Sequence, residues 1–453
     1  MNKYERYRDT GLIWINKVPK KWNLQKINAV FDERREKVSD KDYVALSVTK
    51  NGIFKQLDNV AKTIDGDNRK KVKINDFVIN SRSDRKGSSG LSRFDGSVSL
   101  INTVLKIKKE YPRYMHYLLK SVPFQEEFYR NGKGIVADLW STNFQSMKSI
   151  ILPIPPIEEQ VQIANYLDWK INEINRLIQI EKEKIKELET LRFNVISEFV
   201  LRGIGTQNYK KSSINWLDEI PSHWNEVSIR WCVNIIRGNS TFTKDDLQNR
   251  GKYVGLQYGK VYKTEIIDSE FDFYVSDKFY KPAQVVNRND IIIVSTSETV
   301  EDLGHTSFYD RDDIGLIGGE QILLKPSNNI NSKYLFYLSK IFRMQLQLCA
   351  TGIKVYRFKI SDLKQIYVPL PPMKEQEKIV SNIELKLEQI DERVKNNYAF
   401  IKELELLKQS LISEVVTGKI DVRNIDIPEY EKVTIIEDEI EEFDEVGGEE
   451  DGN

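Results

Sequence analysis

The eight residues PIPPIEEQ (153–160) recur as PLPPMKEQ (369–376), 216 positions further along a chain of 453 residues. Each copy precedes a long run of helix-forming residues that ends in ISE, at 196–198 and at 412–414. The ISE motif therefore begins 43 residues after the first proline in both copies. Because proline rings block the helical hydrogen-bond ladder, the phrase predicts a stiff, extended lead-in to a helix of fixed length.

The duplication extends through the rest of the chain, where three further pairs of segments match in the same order. Their offset grows from 202 to 214, reaches 216 at the prolines and then stays constant. Since surface loops accept insertions and a helix in register does not, each half is predicted to be a variable globular domain followed by a helix of constant length. The pairs are YRDTGLIWINKVPKKW (7–22) with YKKSSINWLDEIPSHW (209–224), YVALSV (43–48) with YVGLQY (253–258), and NDFVINS (75–81) with NDIIIVS (289–295).

Both predicted helices carry a stripe of mostly apolar residues at alternating spacings of four and three, the pattern of a coiled-coil seam. Polar residues interrupt the two stripes at matching positions, Glu181 with Asn397 and Arg192 with Lys408. Two matched stripes favour an antiparallel coiled coil between these helices, although each helix could instead pack only on its own domain. The predicted seam residues are Leu167, Ile171, Ile174, Ile178, Glu181, Ile185, Leu188, Ile383, Leu387, Ile390, Val394, Asn397, Ile401 and Leu404.

The globular part of each half has strand-sized runs separated by Gly, Asn and Asp, then a short helical pattern. DYVALSV, DFVINS and SVSLINTVLKIKK are such runs in the first half, and KYVGLQY, DIIIVSTS and EQILLKP in the second. These runs predict mixed domains of the α/β (α+β) class. The predicted architecture is thus two pseudo-symmetric α/β domains separated by two long helices that form an antiparallel coiled coil.

Polar loops between the predicted strands hold the candidate DNA-binding residues. NSRSDRKGSSGLSR (80–93) and DNRKKVK (67–73) each contain four basic residues, whereas STSETVEDLGHTS (295–307) has the opposite charge balance. Arg and Lys can neutralise phosphates or recognise guanine, and hydroxyl side chains can bind bases or backbone, although such loops are also common as plain solvated surface. The candidates are Lys50, Arg69, Lys70, Lys71, Arg82, Arg85, Lys86, Ser88, Ser89, Lys133, Tyr258, Lys260, Thr296, Ser297, Lys354, Tyr356 and Arg357.

The formal net charge of zero conceals an uneven distribution. Residues 437–451 contain ten Asp or Glu and no Lys or Arg, so the remainder of the chain has a surplus of ten basic side chains. A basic body is compatible with a polyanionic partner. The acidic end is expected to be disordered.

Several other classes of protein are disfavoured by the sequence. It has no run of eighteen apolar residues and no apolar signal core, so a soluble, cytoplasmic protein is expected. Cys232 and Cys349 with three scattered histidines predict neither a common zinc site nor a disulfide framework. The phosphate-loop, dinucleotide and HExxH motifs are missing, and the Pro-Pro phrases lack the Asn or Asp and the aromatic residue of amino-methyltransferases. A binding protein is therefore favoured, with no predicted catalytic or metal-binding residue.

The ordered set of repeats resembles the DNA specificity (S) subunits of type I restriction-modification systems. The resemblance is carried by the duplicated PxPPxxEQ phrase, the long helix ending in ISE, and the entries NKVPKKW and DEIPSHW. It extends to about residue 425. It implies two target-recognition domains that each recognise half of a split, asymmetric DNA site, joined by helices that set the spacer.

The resemblance also implies partners and cofactors outside this chain. Two methyltransferase (M) subunits, which use S-adenosylmethionine to methylate adenine, would bind the helices. Restriction (R) subunits, which use ATP and Mg, would join that core, while the S subunit itself would be non-catalytic and hold no cofactor. The implied divisions are recognition domains at 1–152 and 204–368 and helical regions at 153–203 and 369–420. The remaining residues, 421–453, are not a general feature of the family and are expected to form an acidic, disordered tail.

Two alternatives remain at this stage. The chain could be a coiled-coil adaptor whose domains bind proteins, or the specificity part of another restriction or methylation enzyme. The acidic tail could mimic DNA phosphates or simply increase solubility.

Overall fold

The computed structural model describes residues 2–56, 66–134, 140–205 and 207–433. The chain divides into two compact units, one within residues 1–183 and 397–453 and the other within residues 184–396. Each unit contains one globular domain and part of each of the two long helices. The acidic run predicted to be disordered lies outside the described residues.

The first unit is built from thirteen described strands and four short helices, followed by the start of a long helix. Its strands are β1 (Tyr7–Asp9), β2 (Lys17–Pro19), β3 (Asn23–Lys26), β4 (Phe31–Glu33), β5 (Lys37–Val38), β6 (Leu46–Thr49), β7 (Gly52–Lys55), β8 (Arg69–Val72), β9 (Asp76–Asn80), β10 (Ser89–Leu91), β11 (Gly96–Val98), β12 (Asn102–Ile107) and β13 (Ile151–Ile154). Its helices are α1 (Ile27–Val30), α2 (Pro112–Lys120), α3 (Val122–Arg130), α4 (Phe144–Met147) and the first part of α5 (Ile157–Arg202).

The second unit repeats this plan with more strands. They are β14 (Tyr209–Lys211), β15 (Glu219–Pro221), β16 (Asn225–Ser228), β17 (Val233–Arg237), β18 (Tyr253–Leu256), β19 (Ile266–Ile267), β20 (Tyr274–Val275), β21 (Val285–Val286), β22 (Ile291–Val294), β23 (Thr296–Ser297), β24 (Thr306–Tyr309), β25 (Gly315–Ile317), β26 (Gln321–Pro326), β27 (Tyr356–Arg357) and β28 (Tyr367–Leu370). Its helices are α6 (Tyr258–Val261), α7 (Ser332–Leu348), α8 (Ile360–Gln365) and the first part of α9 (Met373–Val416).

Each domain is organised around a mostly antiparallel sheet with a fully buried strand. In the first domain the order is β10-β9-β12-β4, and in the second it is β17-β26-β22-β24-β19. All residues of β9 and β22 are buried, which suits strands covered on both faces. Asn75 and Asn289 precede these strands at matching positions with φ values of 69° and 74°. The two domains are therefore copies of one mixed α/β fold, as the repeats predicted.

The repeated proline phrase fixes the beginning of each long helix to its domain. Trp22 donates its indole N–H to Glu159 Oε1 at 3.0 Å, and Trp224 donates to Glu375 Oε1 at 3.1 Å. Both tryptophans are buried in their apolar cores. The Glu of the phrase thus accepts a hydrogen bond from the indole N–H of a buried tryptophan, which would otherwise lack this partner.

The final residue of the phrase, Gln160 in one copy and Gln376 in the other, completes the junction. Gln160 Oε1 accepts from the backbone N–H of Tyr111 at 2.8 Å, and its Nε2 donates to Pro155 O at 2.9 Å. Gln376 accepts from Asn331 N at 2.7 Å and donates to the carbonyl two residues after its first proline at 2.8 Å. The same amide therefore links the start of α2 or α7 to the proline turn in each unit.

The long helices α5 and α9 pair with each other in both units. In the first unit, Leu167 and Ile171 of α5 share an apolar core with Leu411 of α9. In the second unit, the later residue Val195 of α5 shares a core with the earlier residue Ile383 of α9. Partners therefore run in opposite directions, which confirms the predicted antiparallel coiled coil.

Most of the predicted seam is inaccessible to solvent. The buried members are Leu167, Ile171, Ile174, Glu181, Ile185, Ile383, Leu387, Ile390 and Leu404. The half-buried members are Ile178, Leu188, Val394, Asn397 and Ile401.

Two polar pairs accompany the seam and share one register. Lys408 Nζ donates to Asn175 Oδ1 at 2.8 Å in the first unit. Arg192 forms an ion pair with Asp391 in the second unit. Arg192 lies seventeen residues after Asn175 on α5, whereas Asp391 lies seventeen residues before Lys408 on α9. The predicted polar interruptions at Arg192 and Lys408 are thus equivalent residues with different partners.

The C-terminal segment 421–433 differs from the tail predicted to begin at residue 421. Gln162 Nε2 donates to Val422 O at 3.0 Å and to Ile425 O at 2.8 Å. Asn172 donates to Glu431 O and accepts from Val433 N, both at 2.8 Å. Ile425 also packs on the apolar core of the first unit. This segment lies along α5 because polar side chains of the helix satisfy its backbone.

Candidate nucleic-acid interface

Three chain segments meet beside the end of β9 in the first unit. Arg82 and Lys133 each form an antiparallel bridge with Ser141. The Lys133 bridge has two backbone hydrogen bonds, of 2.9 and 3.0 Å. Thr142 N also donates to Ser81 O at 2.9 Å. We call Arg82, Lys133 and Ser141 the first bridge cluster; the side chains of Arg82 and Lys133 are exposed.

The second unit contains the same arrangement beside the end of β22. Thr296 pairs with Arg357 and Ser297 with Tyr356, which are the strands β23 and β27. Thr351 forms a further antiparallel bridge with Arg357. We call Thr296, Thr351 and Arg357 the second bridge cluster. Arg357 remains 62% exposed, with Nη2 3.4 Å from Glu320 Oε1.

The two clusters are equivalent in structure and different in chemistry. Arg82 corresponds to Thr296 at the offset of 214 found for the preceding strand, and Ser141 corresponds to Arg357 at the offset of 216. Each cluster thus has one exposed arginine. In the first cluster it is Arg82, whose equivalent is Thr296; in the second it is Arg357, whose equivalent is Ser141 on the other side of the bridge. An arginine in this setting can donate two hydrogen bonds to guanine or pair with a phosphate.

Other predicted residues of the 80–93 loop are divided between surface and interior. Arg85 is exposed, with Nε 3.8 Å from Asp84. Lys86 is 2.6 Å from Glu126 and lies over the Tyr129 ring at 4.8 Å. Ser88 and Ser89 are buried, so their hydroxyls face the protein. The exposed basic residues of this loop therefore accompany Arg82, whereas its serines support the loop.

The predicted residues of 67–73 lie in β8 of another sheet, β11-β8-β5, and have partners within the fold. Arg69 is buried, and its Nε donates to Ser97 Oγ at 2.9 Å; burial lowers the pKa of this guanidinium. Lys70 Nζ donates to Asn102 O at 2.6 Å, and burial lowers its pKa as well. Lys71 pairs with Glu36 at 2.6 Å, which raises the pKa of the lysine. Hydrogen bonds and ion pairs within the fold account for all three.

The remaining predicted residues lie in loops and short helices. Lys50 is exposed, and its carbonyl accepts from Lys120 Nζ at 2.6 Å. Tyr258 stacks on Tyr262 at 5.5 Å, and burial raises the pKa of Tyr258. Lys260 lies over an aromatic ring, 4.6 Å from its centroid. Lys354 is exposed and Tyr356 half-buried in the turn that ends at Arg357.

The sequence did not identify Ser141 or Thr351 as cluster residues. Ser141 pairs with both Arg82 and Lys133 in the first cluster, and Thr351 pairs with Arg357 in the second. Each is identified only by its bridge to a residue far away in the chain. A usable signal was the Gly-Ile dipeptide that occurs in both halves, at 134–135 and 352–353, directly after Lys133 and Thr351.

The described residues contain neither a membrane-spanning helix nor a cluster of metal-binding side chains. None of the helices found there is long and apolar enough to cross a membrane. Within the same parts of the chain, no group of three or more His, Cys, Asp or Glu residues could hold a metal ion.

Comparison with known proteins adds an independent line of observation. A family model described as "Type I restriction modification DNA specificity domain" matches residues 19–190 and again residues 221–406. The putative type I restriction enzyme MjaX specificity subunit of Methanocaldococcus jannaschii is 26% identical over 318 residues, which cover 69% of each chain. The MjaVIII specificity subunit of the same organism is 24% identical over 354 residues, which cover 75% of this chain and 78% of that protein.

A solved structure shares the fold over nearly the whole chain. It is described as "Structural basis underlying complex assembly and conformational transition of the type I R-M system". The TM-score is 0.62 at 16% identity, with 89% of this chain and 99% of that chain covered. At this identity the similarity extends to the fold alone.

Proposed function

Because one family model matches the chain twice and covers most of it, the chain belongs to the DNA specificity subunits of type I restriction-modification systems, and we propose that each of its two domains recognises one half of a bipartite, asymmetric DNA site. The protein selects the sequence and has no active site of its own. Methylation and cleavage are carried out by its partners.

The observation that carries this proposal is the pair of bridge clusters. Two copies of one fold hold the same three-segment bridge, yet Arg82 stands opposite Ser141 in one copy and Thr296 opposite Arg357 in the other. A framework kept constant while exposed donors change position is what recognition of two different half-sites requires. Direct recognition depends on where each donor meets a base edge.

The paired helices serve as the spacer between half-sites. Support comes from their equal run of 43 residues after the prolines and from the junction that fixes each helix to its domain through Gln160 or Gln376. A helix advances about 1.5 Å per residue, so its length converts directly into distance along DNA.

The same helices provide the docking surface for two methyltransferase subunits, which restriction subunits then join. Several large apolar side chains of α5 and α9 stay exposed although the seam is buried. Exposed apolar side chains on a helix pair are a feature of protein-binding surfaces. They are Leu177, Leu191, Phe193, Leu385, Tyr398, Phe400, Leu406 and Leu407, with exposures between 42% and 57%.

Genome-wide mapping of methylated adenines, with and without this chain, tests the proposal. Cells that contain the methyltransferase partner and this chain should show one split motif that disappears when the chain is deleted. An unsplit motif, or a motif that persists after deletion, would contradict it. Loss of complex assembly with unchanged DNA modification would indicate the adaptor alternative.

The spacer role has its own test. Seven residues inserted after both Glu183 and Asn396 should lengthen the gap between half-sites by about three base pairs, because seven helical residues add ~10 Å. The bases of each half-site should not change. A heptad inserted in α5 alone is the matched control and should abolish modification, since the helices then lose their register. An unchanged gap in the double insertion would exclude the spacer role.

A further inference from the structure

The turn between Thr351 and Arg357 has an enforced shape. Thr351 N donates to Arg357 O and Arg357 N donates to Thr351 O, both at 2.9 Å. Gly352 has a φ of 129°, and a Cβ at this position would lie 2.0 Å from Val355 O. Only glycine fits such a conformation without strain. The three residues that follow Gly352 are therefore held at the tip of a tight turn.

This turn presents an isoleucine to solvent. Ile353 is 93% exposed, more than any other large apolar side chain in the described part of the chain. An apolar side chain left in water adds nothing to folding through burial. A β-branched side chain also has few rotamers, so it loses little entropy on contact with a partner. The fold thus holds a rigid apolar group where it contributes only to an external contact.

The surroundings of Ile353 identify the chemistry of that contact. Lys354 and Arg357 on the same turn are exposed cations, whereas Thr296, which is bridged to Arg357, is buried. Exposed cations suit a polyanion, and a guanidinium can also donate hydrogen bonds to base edges. Thymine is the base whose major-groove edge carries an apolar group, its C5 methyl.

We propose that Ile353 contacts the C5 methyl group of a thymine in the half-site recognised by the second domain. The inference rests on the proposed function and adds one residue with one base feature to it. Arg357 then recognises the half-site through hydrogen bonds, and Ile353 recognises it through an apolar contact. In the sequence, Gly134 is likewise followed by Ile135 at the corresponding place of the first half.

The test removes single methyl groups from DNA. The complex of this chain with its methyltransferase partner is titrated with duplexes that contain the mapped site, and each thymine in turn is replaced by uracil. One replacement in the second half-site should weaken binding about fourfold, the effect of one buried methyl group. Ile353→Ser should weaken binding to the thymine duplex by at least as much and should not distinguish thymine from uracil at that position.

Leu348→Ser provides the matched control, because Leu348 is also highly exposed, at 80%, and ends the preceding helix. This variant should bind like the wild type and keep its sensitivity to uracil.

Each other outcome overturns the inference in a recognisable way. Uracil replacements without effect on the wild type, or a second half-site without an A·T pair, exclude a methyl contact. An equal loss of affinity for thymine and uracil duplexes in Ile353→Ser, with wild-type sensitivity retained, would indicate insertion between bases. Failure of Ile353→Ser to assemble with the methyltransferase would indicate a protein contact. Failure of the wild-type complex to prefer the mapped site would reject the proposed function itself, and the inference with it.

Discussion

The two units keep the same buried polar junction and differ at their exposed bridge clusters. The Trp22–Glu159 and Trp224–Glu375 hydrogen bonds differ in length by 0.1 Å. The hydrogen bonds from Gln160 and Gln376 to the proline turns also differ by 0.1 Å. The arginines of the clusters, by contrast, come from different segments of the chain. Junction residues serve the fold, where any change leaves buried groups without partners. The exposed arginines of the clusters serve an external surface, where a change alters only the contact with a partner.

Breaking the junction should have the largest effect, and the effect should be equal in the two units. Gln160→Ala leaves the backbone N–H of Tyr111 and the carbonyl of Pro155 without this partner, and each such loss costs about 1–3 kcal/mol. Gln376→Ala does the same in the second unit. We expect each variant to lower the free energy of unfolding of its unit by about 3 kcal/mol, measured by urea denaturation.

The matched control is Gln179→Ala, since Gln179 is exposed on α5 and bonds only to Glu183 on its own helix in the described structure. It should change the free energy of unfolding by less than ~0.5 kcal/mol. Clearly unequal losses for Gln160→Ala and Gln376→Ala would show that the two junctions are not equivalent.

Breaking the clusters should have an effect confined to one half-site. Arg82→Ala should relax one base of the first half-site, and Arg357→Ala one base of the second. A lost bidentate contact to a base costs about 1–3 kcal/mol, or roughly 5- to 150-fold in affinity. Deep sequencing of modified sites measures the base preference, and titration with duplexes measures the affinity.

Arg288→Ala is the control for these arginine variants, because Arg288 pairs with Asp310 and Asp312 in the second unit. Its base preferences should match those of the wild type. If Arg82→Ala and Arg357→Ala each weakened both half-sites equally, the arginines would be general phosphate contacts.

A half-buried histidine in each unit makes both units sensitive to acid. Burial lowers the pKa of His116 to about 3 and that of His305 to about 4, and nearby lysines add to the shifts. The unfolded chain protonates these residues near pH 6.5. Their contribution to stability is therefore complete above pH 6.5 and falls as the pH drops towards 4.

The slope from one such histidine approaches ~1.4 kcal/mol per pH unit between these limits. Thermal unfolding at pH 7, 6 and 5 measures it. Variants His116→Gln and His305→Gln, which cannot take up the proton, should each flatten the dependence. A slope that both variants leave intact would assign the acid sensitivity to carboxylates.

The parts of the fold that could be predicted are those that give a regular pattern in the amino-acid sequence. A constant offset of 216 behind the prolines revealed two helices of equal length, and matched stripes revealed their pairing. Composition could not separate Arg69, which is buried against Ser97, from the exposed Arg82, since both lie in basic, polar segments. The bridge of Arg82 to Ser141 joins residues far apart in the chain, and only tertiary structure brings them together.

The C-terminal segment shows the same limit in a second way. The prediction assigned residues 421–433 to the acidic tail because they follow the second helical region, whereas Ile425 and Ile427 pack on the core of the first unit. Their spacing of two residues is that of an extended strand with one buried face. The signal was present, but the acidic residues that follow obscured it.

The polar pairs of the coiled coil should show the smallest and most unequal effect. Arg192 bridges Asp391 and Glu265, and Glu265 also binds Lys340 at 3.0 Å. Burial raises the pKa of Glu265, but Lys340 and Arg192 outweigh this and keep it below its usual value. Lys408 instead faces the neutral Asn175, and burial lowers the pKa of Lys408.

Arg192→Ala should therefore lower the free energy of unfolding of the second unit by about 1 kcal/mol, and Lys408→Ala that of the first unit by less than ~0.5 kcal/mol. Salt separates the two causes: in 1 M NaCl the Arg192→Ala loss should shrink because it is electrostatic, whereas the Lys408→Ala loss should not change. Arg176→Ala, an exposed arginine of α5, controls for the loss of helix propensity and side-chain packing. If the two variants lost equal free energies of unfolding with equal salt dependence, both pairs would act only by fixing the register of the helices. The carboxylates around Arg192 would then add no more stability than a neutral partner does.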